Sequence, residues 1–388
     1  MQYRNFGKLD FKVSALGFGC MRLPVINNEM GRINEPLAIK MIRYAIDNGV
    51  NYVDTAYMYH DGNSEKVVGK ALKDGYREKV KLVTKLPSMM ITSPDQFDKI
   101  FEEQLDRLQA KKVDFYLMHA LNREFWGKIQ GMKVLQWAEK RMAKGQIGHI
   151  GFSFHDEYKV FKKIIDSYDN WTLCQIQYNY VDVNNQAGRK GVEYAAKKGL
   201  ALVVMEPIRG GLLAKDPPKI VAKVWGKAKQ VRSYPEWALQ WVWNQPEISV
   251  ALSGMSTMEQ VVENVAAAGR SGPNTLTKQE LSLIKKVTEA YKLLGPVPCT
   301  GCRYCMPCPN DVDIPGIFRV YNEVMMYQAP EIGYMHYAGR MGLKPENRAD
   351  NCVECRKCVE KCPQKIDIPE WLKKAHAYMM PKGNAPRH

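Results

Sequence analysis

Eight of the ten cysteines in this 388-residue sequence lie after residue 296, in two closely spaced runs. One is Cys299-x₂-Cys302-x₂-Cys305-x₂-Cys308-Pro309, the other Cys352-x₂-Cys355-x₂-Cys358-x₃-Cys362-Pro363. Thiolates two residues apart along a tight loop converge on three corners of a cube, and the fourth corner faces away from that loop. Zinc is the first rival, because CxxC pairs also make tetrahedral sites, but two four-cysteine runs each closing in Cys-Pro fit iron–sulfur clusters better. Disulfides are the second rival and need an oxidising compartment. Residues 1–7 read as the start of a folded segment, not as a charged leader with an apolar stretch and cleavage site, so we expect a cytoplasmic protein. Cys20 and Cys174 stand apart and read as small buried apolar side chains.

The elements that must position a second set of polar residues occupy the first 295 positions. Short apolar runs at 15–18, 51–53, 80–84, 113–118, 149–151, 173–176, 201–205 and 249–252 read as buried parallel strands. Between them, 35–48, 95–109, 132–144 and 186–198 carry apolar residues at helical spacing. Eight β-α units without a Gly-rich dinucleotide fingerprint predict an α/β fold of the (β/α)8 TIM-barrel type rather than a doubly wound sheet. A barrel builds its site where strands end. Asp54 is expected after the second strand, Lys85 at the end of the third, His119 at the end of the fourth, Ser153 after the fifth and Gln175 within the sixth.

A last helix over 278–294 runs into Gly295-Pro296-Val297-Pro298, which predicts a boundary between a barrel at 1–295 and a small, mainly helical domain at 296–388. The second region contains a repeat. Cys308-Pro309-Asn310-Asp311-Val312-Asp313-Ile314-Pro315 matches Cys362-Pro363-Gln364-Lys365-Ile366-Asp367-Ile368-Pro369 at an offset of 54. Each copy reads as a cysteine loop followed by a helix, with Pro315 and Pro369 near the helix starts.

Composition excludes several classes. No apolar run approaches the roughly 20 residues of a membrane helix. The net charge of +15 is spread as +12 before residue 296 and +3 after it, without a basic run or nucleic-acid module, so we expect neither nucleic acid nor membrane as partner. A diffuse positive surface suits anionic cofactors or acidic partners.

Gly49-Val50-Asn51-Tyr52-Val53-Asp54-Thr55-Ala56-Tyr57-Met58-Tyr59, followed by Gly62-Asn63-Ser64-Glu65, resembles the signature of the aldo-keto reductases. The likeness continues through Val83-Thr84-Lys85-Leu86 and Phe115-Tyr116-Leu117-Met118-His119 and covers nearly all of 1–290. It implies that Asp54, Tyr59, Lys85 and His119 form the family's catalytic tetrad. Hydride reduction of a carbonyl leaves charge on its oxygen, which a positioned acid must neutralise. Tyr59 would give that proton, Lys85 paired with Asp54 would lower the tyrosine pKa, and His119 would orient the substrate oxygen. The resemblance also implies that Ser153 and Gln175 hold the nicotinamide, that Pro207, Ile208 and Gly210 lie over the pyrophosphate, and that Gly254, Gln260 and Asn264 line the adenosine end. Phe154, Met205 and Met21 replace an asparagine and two aromatics common in the family. Gly254 and Gln260 stand where many members place cations that read a 2′-phosphate, leaving NADP(H) and NAD(H) both open.

The cysteine runs resemble those of dicluster ferredoxins, with one residue fewer before Cys308. That likeness implies two [4Fe–4S] clusters, one on Cys299, Cys302, Cys305 and Cys362 and the other on Cys352, Cys355, Cys358 and Cys308. The leading expectation is an NAD(P)H-dependent oxidoreductase acting on a small carbonyl or alcohol. A second reading places a flavin or redox-active substrate in the barrel, coupled to a ferredoxin or flavodoxin. A third treats the chain as an electron-transfer or docking module with an inactive barrel, against which the complete tetrad argues.

Overall fold

The computed structural model describes residues 1–339 and 342–380, so 381–388, the end of the expected second domain, lie outside the described residues. The chain divides into two compact units, Met1–Lys215 with Val231–Leu281, and Asp216–Gln230 with the chain from Ser282 onward. The helix Lys278–Lys292 begins in the first and ends in the second.

The first unit opens on an antiparallel hairpin, β1 (Tyr3–Phe6) and β2 (Leu9–Ser14). There follow β3 (Leu16–Gly19), β4 (Tyr52–Asp54), β5 (Lys81–Leu86), β6 (Val113–Leu121), β7 (Ile147–Phe154), β8 (Leu173–Gln177), β9 (Ala201–Met205) and β10 (Ile248–Gly254). β3 to β10 close in sequence order into a parallel barrel, β10 pairing back onto β3, as the β-α alternation predicts. Inward side chains such as Tyr52, Val83, Phe115, Leu173, Val203 and Val250 fill its interior. Phe6 of the hairpin joins them, its ring 4.9 Å from Phe115 and 5.8 Å from Tyr52, near the strand beginnings. The hairpin thus plugs the N-terminal end and leaves the C-terminal mouth for chemistry.

The surrounding helices follow from their spacing. Gln96–Leu108 buries Phe97, Ile100, Phe101, Leu105 and Leu108, one face at a 3.6-residue period, and stops at Gln109 with φ 51°. Each such side chain contributes about 1.5–3 kcal/mol when fully buried. The expected strands at 113–118 and 149–151 are too short. β6 and β7 run on to Leu121 and Phe154, because backbone pairing continues past His119 and Ser153, polar residues that interrupt the apolar pattern. His119 and Ser153 therefore lie inside strands, Lys85 is the penultimate residue of β5, and Asp54 closes β4.

The second unit repeats itself in backbone conformation. Gly301, Arg303 and Asp311 have positive φ, and so do Glu354, Arg356 and Lys365, at the same distances from the corresponding cysteines. Each loop leads into a helix, Ile314–Tyr327 and Ile368–Met379, with Pro315 and Pro369 in the first turn, where a missing N–H costs little. Val312, Ile317, Phe318, Val324, Leu372 and Met379 form the core between them. Among the described residues, no helix is long and apolar enough to cross a membrane.

Candidate active site and cysteine-lined cavities

Four strand ends or adjacent turns bring Asp54, Tyr59, Lys85 and His119 together. Lys85 is fully buried, and its Nζ donates to Asp54 Oδ1 at 2.6 Å, to the Thr55 carbonyl at 2.8 Å and to Tyr59 Oη at 3.3 Å. Three acceptors match the three protons of an ammonium, which is how a buried lysine stays charged. Burial opposes that charge, but Asp54 and Tyr59 outweigh it and raise the lysine pKa. Burial likewise pushes the Asp54 carboxyl up, against the pull of Lys85.

The Tyr59 ring stands edge-on to His119, centroids 5.8 Å apart. Burial, and then Lys85 and His155, hold His119 well below the ordinary imidazole range, so it is neutral. Its Nδ1 is buried without a hydrogen-bond partner among the described residues. The tyrosine differs from expectation. Lys85 does pull the phenol down, but burial is the larger influence and the net direction from 10 is upward. The Asp54 carboxylate, 2.6 Å from the cation, opposes that pull and offsets part of it.

A buried network fixes Lys85 from behind. Glu65 is fully buried and accepts from Thr84 Oγ1 at 2.6 Å, Gln104 Nε2 at 2.7 Å and Arg107 Nη1 at 3.3 Å. Gln104 Nε2 also reaches the Lys85 carbonyl at 3.1 Å. At β6 the turn past His119 is made by Ala120 in the left-handed region, φ 54°, which delivers its N–H to Ser153 Oγ at 2.7 Å. Holding a residue with a Cβ there costs of order 1 kcal/mol, and it fixes where the imidazole projects.

The expected cofactor residues divide. Ser153 and Gln175 lie on adjacent strands as a register pair, and the Gln175 Oε1 is buried without a partner among the described residues, a fit for the carboxamide of a nicotinamide. Pro207, Ile208 and Gly210 lie in the loop after β9, where Glu206, Arg209, Gly210 and Gly211 all have positive φ. Gly254 ends β10. Gln260 serves its own helix, its Oε1 accepting from Ser256 N–H at 2.8 Å. Asn264 is buried and donates to Ser253 Oγ at 3.2 Å. Cys20 and Cys174 are fully buried, and burial pushes both thiols up.

Two further residues escape sequence reasoning. His60, with φ 53°, donates from Nδ1 to the Met30 carbonyl at 2.6 Å and accepts the Leu23 N–H at 3.1 Å, tying the loop after β3 to the turn of Tyr59. Arg22 follows β3 and is exposed. A methyl group at Gly210 would lie 3.1 Å from its guanidinium, and one at Gly254 would lie 3.2 Å from its Cβ. A cation therefore lies between the loop after β9 and the end of β10, supplied by the opposite end of the first unit's sequence.

In the second unit the cysteines ring two cavities. Cys299, Cys302, Cys305 and Cys362 line one. Cys308, Cys352, Cys355 and Cys358 line the other, of about 300 Å³; Cys305 borders both and has Cys299, Cys302 and Cys362 as its neighbouring sulfurs. The fourth cysteine of each run thus stands with the first three of the other run. Burial first, and then the neighbouring sulfurs, raise Cys299 and Cys305, and raise Cys358 to about 11. These thiols give up their protons readily only to a cationic centre.

Groups that hold and donate one proton at a barrel mouth suit hydride chemistry, and they place the first unit among the barrel oxidoreductases. The profile of the aldo/keto reductase family matches residues 15–289, and that of the 4Fe-4S dicluster domain matches 298–366. The chain belongs to the aldo/keto reductase family and is an NAD(P)H-dependent oxidoreductase with a 4Fe-4S dicluster domain C-terminal to the barrel. It is 28% identical over 316 residues to L-galactose dehydrogenase of Arabidopsis thaliana, covering 76% of this chain and 96% of that protein. It is 25% identical over 335 residues to the NADH-specific methylglyoxal reductase of Escherichia coli, covering 74% and 98%. The holo form of the aldo-keto reductase AKR11C1 from Bacillus halodurans superposes with a TM-score of 0.61 at 26% identity, covering 75% of this chain and 97% of that one.

Proposed function

We propose that residues 1–295 reduce an aldehyde or ketone, or oxidise the corresponding alcohol, by hydride transfer with NAD(P)H, and that residues 296–388 hold two [4Fe–4S] clusters. The observation that carries the reading is the buried Lys85 ammonium shared between Asp54 and Tyr59, beside a neutral His119. Bound NAD(P)H supplies the hydride. Tyr59 gives its proton to the carbonyl oxygen, Lys85 steadies the phenolate left behind, and His119 donates a hydrogen bond that orients that oxygen. The names of two relatives, a methylglyoxal reductase and an L-galactose dehydrogenase, support both directions. A nicotinamide passes two electrons together and a cubane passes one, so no electron count links the two cofactors directly.

The raised phenol fixes a pH signature. Reduction needs the protonated form, which is present below the folded pKa, so kcat/KM for an aldehyde stays level across neutrality and falls only above the ordinary phenol value of 10. Alcohol oxidation needs the phenolate and rises over the same interval. Rate profiles in both directions check this, and a reduction limb falling near neutrality contradicts it.

Arg22 is assigned to the cofactor's phosphates. Arg22→Gln is expected to weaken NADPH binding, measured by quenching of protein fluorescence, by about 10- to 100-fold, the worth of one charge-assisted contact. An unchanged affinity removes the assignment. An effect on NADPH and not NADH places the contact at the 2′-phosphate.

The clusters are assigned as the cavities group the cysteines, Cys299, Cys302, Cys305 and Cys362 for one, and Cys308, Cys352, Cys355 and Cys358 for the other. Left-handed residues stand beside the cysteines of both runs, a backbone conformation of the kind that builds anion-binding concavities. Each cluster supplies one-electron chemistry when bound.

A further inference from the structure

We infer that the larger cysteine-lined cavity is an electron port where an acidic one-electron carrier protein docks, a function additional to the hydride chemistry of the barrel. The inference rests on reading Cys308, Cys352, Cys355 and Cys358 as cluster ligands. The charged side chains lining that cavity are Arg356, Lys357 and Lys361, all cations, whereas the charged residue lining the smaller cavity is Arg303. The two halves of the repeat thus share a backbone but not a surface.

Two of these three cations are not paired with local acids. Arg356 reaches Asp367 across an exposed 3.4 Å pair, while Glu354 and Glu370 are taken by Lys373 and Lys374 at 2.6 and 3.3 Å. Lys357 and Lys361 are exposed and have no carboxylate within ion-pair distance among the described residues. With Lys365, four cations stand against two acids, Glu354 and Glu360, between 352 and 365.

On the same cavity lining as this collar of cations Cys355 is exposed, and Val353 between the first two cysteines is 65% exposed. An apolar contact point over a cluster edge with a charged rim suits a small, transient electron-transfer interface, in which electrostatics sets the encounter rate more than the affinity. The occupant must be negatively charged and must give electrons singly. One electron leaves the carrier and one enters the cluster, with no bond made or broken. A collar serving only to offset the cluster's own charge needs no partner, and it predicts no dependence of an intermolecular rate on these lysines.

The test uses the full-length, cluster-loaded protein and a photoreduced acidic flavodoxin, mixed anaerobically in stopped flow with flavodoxin oxidation as the signal. Lys357→Glu with Lys361→Glu is expected to cut the second-order rate at low ionic strength by at least about tenfold, and the difference from the parent to close toward unity near about 0.5 M salt. Arg303→Glu is expected to change it less than about twofold. Anisotropy of labelled flavodoxin is expected to show the same order of affinities. If the double reversal lowers iron content, Lys357→Gln with Lys361→Gln is judged by the same criteria. Rates indifferent to salt and to the lysines, or a larger effect from Arg303→Glu, overturn the port. Absence of iron and sulfide from the parent protein overturns instead the cluster reading beneath it.

Discussion

Replacing Tyr59 by Phe is expected to lower the turnover number for aldehyde reduction by about 10³-fold while leaving NADPH affinity within about twofold. The variant keeps the ring packed edge-on to His119 and removes only the oxygen that Lys85 donates to at 3.3 Å. Lys85 retains Asp54 and the Thr55 carbonyl, so the ion pair and the local fold persist. The loss therefore measures proton delivery in the transition state. Single-turnover NADPH oxidation, with binding followed separately by fluorescence, checks it. Undiminished turnover would mean that the proton comes from elsewhere, and the assignment of Asp54, Tyr59, Lys85 and His119 would fall together.

The second large effect concerns iron. Because Cys308 shares its cavity with Cys352, Cys355 and Cys358, Cys308→Ala is expected to remove one cluster and lower the iron content from about eight atoms to about four. Pairing distinguishes this arrangement from clusters confined to one run each. Cys308→Ala with Cys355→Ala should cost no more iron than either alone, whereas Cys308→Ala with Cys302→Ala should lose both clusters. Iron and sulfide analysis of anaerobically prepared protein reads the result. If instead the Cys308 and Cys302 variants fail to add, each run holds its own cluster, and the raised Cys358 thiol has a different set of neighbours from the one described.

Much of this was legible in the sequence because the informative features are local. The cysteine spacings, the repeated Cys-Pro to Ile-Pro segment and the prolines at the helix starts are each encoded within about a dozen residues, and the structure repeats them in matched left-handed positions. The barrel was legible because buried parallel strands read as apolar runs, and the same rule misplaced His119 and Ser153, which are polar residues inside strands. What the sequence could not reveal is convergence. Arg22 reaches Gly210 and Gly254 only after the barrel closes between β10 and β3. His60 finds Leu23 and Met30 from some thirty residues away, and no motif announces it. The net direction of the tyrosine pKa is hidden from the sequence for a similar reason. A lysine nearby was expected to dominate, but the depth of burial, which outweighs it, is a property of the assembled barrel.

The fate of a single hydrogen tests the central claim most directly. With NADPH deuterated on one face or the other of the nicotinamide C4, and an aldehyde as substrate, direct transfer predicts deuterium on the carbinol carbon from one face and none from the other. The result should be the same whether or not the clusters are loaded. A product that takes its hydrogen from water with both labelled cofactors, or that forms only when reduced clusters are supplied, would contradict the account.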